Sequence, residues 1–171
     1  FFAAGPQASS EGQSVQYFIT VGNLHMRLGR HEEAETLYRR VMDELPQAYV
    51  LVVRSLVAQG KRAEAATLCL EAAEGDPTPE EAAVLAGVLT TSGPLSEELA
   101  DALAAVERAA EKHNDDIQLL QAAAVLKATQ GDYDNAISLF RRLVEPQPEN
   151  PLALNNLATL LAERPNQLGE A

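Results

Sequence analysis

Residues 131–148 read GDYDNAISLFRRLVEPQP. The stretch opens on Gly131, closes on Pro148, and between them sets apolar side chains at Ala136, Ile137, Leu139, Phe140, Leu143 and Val144. This is the i, i+3, i+4, i+7 spacing of an α-helix with one buried face. Arg141 and Arg142 fall on the other side. A helix of about a dozen residues is marginal alone in water, so its apolar face must find a partner elsewhere in the chain.

The same block recurs. GRHEEAETLYRRVMDELP (29–46) and GKRAEAATLCLEAAEGDP (60–77) lie over it without a gap. In each copy Gly and Pro are 17 residues apart, and an alanine follows the glycine by five (Ala34, Ala65, Ala136). A core residue comes four later (Tyr38, Cys69, Phe140), and another apolar one three beyond that (Val41, Ala72, Leu143). Four glycines, Gly29, Gly60, Gly93 and Gly131, end apolar helical segments at spacings of 31, 33 and 38. Glycine can end a helix by taking positive φ. Alanine lets two helix backbones approach, and proline cannot continue the helix before it.

Three blocks in register across nearly the whole chain resemble the tetratricopeptide repeat (TPR) family, whose unit is a helix–turn–helix of about 34 residues. The resemblance implies an all-α fold, a right-handed α-solenoid of stacked antiparallel helix pairs forming a superhelix. Composition agrees: 46% of residues are hydrophobic but only 5% aromatic, and the apolar content is mostly Ala and Leu, both strong helix formers.

The first helices of the pairs carry a matching stripe. It runs through Phe18, Val21, Gly22 and His25; Tyr49, Val52, Val53 and Leu56; Ala82, Leu85, Ala86 and Leu89; Leu120, Ala123, Ala124 and Lys127; and Leu154, Leu157, Ala158 and Leu161. Lys127 replaces an aromatic and is expected to run its stem along the core. The expected organisation is an irregular segment over 1–14 and an array over 15–171. Its units are 15–45, 46–78, 79–115 with an insert near 94–101, 116–149, and a partial 150–171. The unpaired final helix reads as part of a longer array, since terminal repeats need capping.

The chemistry-bearing residues do not assemble into a reaction centre. His25, His31 and His113 fall in different units, without the spacing of a helical zinc site. Cys69 takes a packing position in mid-helix, where a buried thiol is inert. The acidic pairs Glu80–Glu81, Glu97–Glu98 and Asp115–Asp116 fall near helix starts, where carboxylates complement the helix dipole. No phosphate-binding glycine loop is present. The sequence implies no enzyme, cofactor or metal.

Charge and hydropathy narrow the partners. The net charge is −12, with −10 of it concentrated in residues 71–116, which disfavours nucleic acid and anionic membranes. No apolar run approaches the ~18 residues of a membrane span. A single cysteine leaves no disulfide framework within the chain, which fits a reducing compartment such as the cytoplasm.

The family resemblance places any partner in a concave groove lined by the first helices. By register the candidate groove residues are Ile19, Asn23, Met26, Arg27, Val50, Arg54, Gln118, Gln121 and Asn155, accompanied by Gln16, Val57, Glu80, Ala83, Thr90, Val125, Leu152 and Thr159. Asn23 matches one asparagine of the carboxylate clamp in chaperone-binding modules of the family. The clamp's lysine is Ile19 here, and its other members are missing, so capture of a C-terminal carboxylate is not expected. The expectation is a non-enzymatic scaffold that binds a peptide or helix of a partner protein. The alternatives are a regulatory or substrate-recruiting region of a larger enzyme, and a module that forms homo-oligomers through its exposed repeat ends.

Overall fold

The computed structural model describes residues 10–91, 97–146 and 148–163. Among these, the regular structure is nine α-helices and two short 3-10 turns, with no strand. The helices are α1 (Ser10–Arg27), α2 (His31–Glu44), α3 (Tyr49–Ala58), α4 (Arg62–Ala72), α5 (Pro79–Thr90), α6 (Ala100–Lys112), α7 (Ile117–Thr129), α8 (Tyr133–Val144) and α9 (Pro151–Glu163). They pack pairwise and fall into two compact units that divide after Ala72.

The periodic glycines act as the spacing requires. Gly29, Gly60 and Gly131 have φ of 72°, 76° and 78°. Each follows a helix that closes in the same way. The amide after the glycine donates to the carbonyl five residues back: Arg30 to His25 at 2.9 Å, Lys61 to Leu56 at 2.9 Å, and Asp132 to Lys127 at 3.0 Å. This double closure satisfies carbonyls that the helix end would otherwise leave bare. Gly93 lies outside the described residues.

In the first unit, α2 packs against both α1 and α3, and α3 against α4. Ala34, Tyr38 and Val41 of α2 are fully buried, as the block pattern predicts. Tyr49, Val52, Val53 and Leu56 bury the α3 stripe. Helix α3 is apolar nearly all round because neighbours cover it on more than one side. Glu35 ties the pairs together. It accepts from Arg39 Nε at 2.8 Å and from Gln59 Nε2 at 2.7 Å, and Lys61 lies 3.5 Å away, while Arg39 also reaches Glu64 at 2.8 Å. Burial pushes the Glu35 carboxyl up, but the hydrogen bonds from Gln59 and Arg39 and the charges of Arg39 and Lys61 outweigh it and hold it below its ordinary value.

In the second unit, α7 packs directly on α5 as well as on α8, and α8 packs on α9. The apolar face of the opening stretch is thereby accounted for. Ala136, Ile137, Phe140 and Leu143 of α8 form one cluster with Leu120 and Ala124 of α7 and Ala153 and Leu160 of α9. Caps fix the helix starts. Thr78 and Glu81 form a reciprocal capping box on α5, and Asp116 accepts from the Leu119 amide at 2.8 Å. Lys127 is half-buried and pairs with Glu107 of α6, with Asp132 a further 3.8 Å contact.

Three expectations change. The first helix begins at Ser10, so the segment to residue 14 is not wholly irregular. The insert near 94–101 ends in a 3-10 turn, Glu97–Leu99, that leads into α6 and leaves Ala102 buried on schedule; residues 92–96 lie outside the described set. In α9 the buried residues are Ala153 and Leu160, whereas Leu154 and Leu161 are 40% and 45% exposed. Residues 164–171, which follow α9, lie outside the described residues.

Candidate functional site

The groove candidates separate by unit. On α1, Ile19 and Met26 are half-buried and Arg27 is exposed; on α3, Val50 and Arg54 are exposed. Asn23 is not a free groove amide. Its Oδ1 accepts a 2.8 Å hydrogen bond from the Tyr38 hydroxyl, fifteen residues along the chain. Burial pushes the Tyr38 phenol up, and the nearby Arg54 guanidinium opposes that shift. The structure thus gathers Asn23 and Arg54 around a buried tyrosine that the sequence pattern reads only as a core residue. The reason tyrosine rather than phenylalanine stands at position 38 is the polar partner on α1.

The second unit holds a clearer site. Between α5 and α7 lies a depression of about 400 Å³, lined by Gly87 and Thr90 of α5 and by Gln118, Gln121, Ala122 and Val125 of α7. It exists because α7 packs directly on α5, which sets the two first helices side by side. Four of the expected groove positions, Gln118, Gln121, Thr90 and Val125, are among the residues that line this depression. Thr90 turns its hydroxyl back to the Gly87 carbonyl at 2.8 Å. Among the described residues the Gln118 and Gln121 side chains have no protein partner, so their donors and acceptors are open to a ligand. Asn155 is exposed on α9 and does not line this depression.

Gly87 and Ala122 are the lining residues that the register argument passed over. The available signal was a glycine in the middle of an otherwise strong helix, PEEAAVLAGVLT. A second cleft of about 410 Å³, between α6, α7 and α8, is lined by Glu107, Lys127, Asn135, Ser138 and Arg142 among others. Its cations are already engaged, Lys127 by Glu107 and Arg142 by the Asn114 carbonyl at 2.6 Å. No group of three metal-ligating side chains occurs among the described residues, and none of their helices is long and apolar enough to cross a membrane.

The tetratricopeptide repeat family model matches residues 21–82, 96–151 and 122–171. The chain belongs to the tetratricopeptide repeat family. Solved structures share its helical arrangement. TTC0263, a thermophilic TPR protein of Thermus thermophilus, matches with a TM-score of 0.60 at 21% identity, over 86% of this chain and 81% of that one. YrrB, described as a TPR protein with an unusual peptide-binding site, matches at 0.54 and 21% identity, over 91% and 84%. MamA of Desulfovibrio magneticus matches at 0.55 and 15% identity, over 87% and 84%. At these identities the likeness is one of fold. No curated protein matches the chain significantly.

Proposed function

We propose that the protein is a non-enzymatic scaffold that binds a peptide or helix of a partner protein in a groove lined by its first helices. The observation that carries this reading is the α5–α7 depression. Its two amides, Gln118 and Gln121, have no hydrogen-bond partner among the described residues, and the cap of α7 is Asp116 instead. Membership of a family of protein-binding repeats supports it, as does fold similarity to YrrB, whose description names a peptide-binding site. The test is to identify a partner by pull-down and to repeat the binding measurement with Gln118→Ala/Gln121→Ala. Lost binding with the helical spectrum intact supports the assignment; unchanged binding overturns it.

Self-association is a second reading with its own observation. Tyr17 and Leu24 of α1, and Leu28 in the turn after it, are 62%, 53% and 59% exposed. A first-helix face of this kind is a candidate contact between copies. Sedimentation over a wide concentration range decides it, because a constant monomer mass removes the reading.

A further inference from the structure

Helix α6 departs from the repeat at one core position. Its Ala102 is buried on schedule, but four residues later stands Val106, where α2 and α8 carry Tyr38 and Phe140. Valine fills less of the space between helices than either ring does. Helix α6 packs only lightly on α7, whereas α2 and α8 pack closely on α3 and α9. The cleft of about 410 Å³ between α6, α7 and α8 opens at this place, with Val106 in its lining. Its volume falls within the range of about 300–1,000 Å³ typical of ligand sites.

The lining selects what enters. Val106, Ala110, Ala123, Leu126 and Leu139 supply apolar surface, and charges of both signs stand beside them. Lys127 and Glu107 neutralise each other. Arg142 donates to the Asn114 carbonyl, a neutral partner that leaves its positive charge unbalanced. Glu111 has no ion pair or hydrogen bond among the described residues, and neither has the exposed Ser138. A ligand of one charge sign would set like charge against either Glu111 or Arg142. A segment carrying both signs meets each with its opposite. Aromatic side chains are the usual anchors of protein contacts because they fill such pockets at small entropic cost. We infer that the cleft between α6 and α8 is a protein-docking site, taken by a partner segment that inserts one aromatic side chain over Val106 and sets an acidic side chain on Arg142 and a basic one on Glu111. The inference does not depend on the groove reading, since this cleft and the α5–α7 depression share no lining residue.

The test pans a phage-displayed library of random dodecapeptides on the full chain, after subtraction on its Ser138→Tyr variant. Position 138 is exposed on α8, so tyrosine there should crowd the cleft without disturbing the core. Peptides that survive subtraction should carry an aromatic residue flanked by an acidic and a basic one. Synthetic copies should bind Ser138→Tyr about tenfold or more weakly. They should keep full affinity for Gln118→Ala/Gln121→Ala, and raised salt should weaken them. Arg142→Glu should also lower their affinity, and exchanging the peptide's acidic residue for arginine should restore it. Should Arg142→Glu unfold, Glu111→Lys with a peptide whose basic residue is exchanged for glutamate makes the same comparison. The inference is overturned if no peptide survives subtraction, if the survivors lack the aromatic residue, or if the charge exchange restores nothing in a folded variant. Survivors that lose affinity on Gln118→Ala/Gln121→Ala would also overturn it, by placing them in the other depression.

Discussion

The Tyr38 hydroxyl donates to Asn23 Oδ1 at 2.8 Å, while the edge of the same ring fills the space where Gly22 has no Cβ. One residue of α2 thus reads two neighbours on α1, one by polarity and one by shape. Gly22→Ala should therefore destabilise the protein despite alanine's better helix propensity, by about 1–3 kcal/mol, because the buried ring cannot retreat. Tyr38→Phe should cost about 0.5–1.5 kcal/mol through the lost hydrogen bond alone. Urea unfolding of both variants measures the two effects. A stabilised Gly22→Ala would contradict the packing argument.

Phe140 lies at the centre of the cluster that joins α7, α8 and α9. Phe140→Ala should cost about 3–5 kcal/mol, the range for emptying an aromatic site in a packed core. Thermal unfolding followed by circular dichroism would register it as a large fall in Tm.

Equivalent repeat positions should respond unequally. Leu24 and Leu126 occupy the same place on α1 and α7, but Leu24 is 53% exposed and Leu126 is 1% exposed. Leu126→Ala should lose about 2–5 kcal/mol, whereas Leu24→Ala should fall within about 0.5 kcal/mol of wild type. Matched denaturant titrations compare the two.

The Glu35 network predicts a pH dependence. Its carboxyl is held below its ordinary value of 4.5 in the folded chain. A depressed folded pKa means stability that is present above 4.5 and is lost as pH falls through the lower folded value. Glu35→Gln should be less stable than wild type at neutral pH, and the gap should close as pH falls below 4.5. Urea midpoints measured across that range test the sign; a gap that widened on acidification would contradict it.

Much of the fold was legible because its units repeat. The positions of Ala34, Ala65 and Ala136, of Tyr38, Cys69 and Phe140, and of Gly29, Gly60 and Gly131 recur in register. All six of those alanine and core positions are buried, and all three glycines have positive φ. Periodicity reports burial and local backbone conformation, since the same local rules act in every copy. The same periodicity places Gln118, Gln121 and Val125 off the packing stripe, and they line the open depression between α5 and α7.

What only the tertiary structure decided concerns contacts that no local pattern encodes. The engagement of Asn23 by Tyr38 depends on how α2 crosses α1, fifteen residues away in sequence. The depression beside Gly87 depends on α7 lying directly on α5. The exposed Leu154 and Leu161 of α9 follow the repeat in sequence but depart from it in burial. A pattern of side chains specifies which face of a helix is apolar, whereas burial is a property of whatever lies against that face.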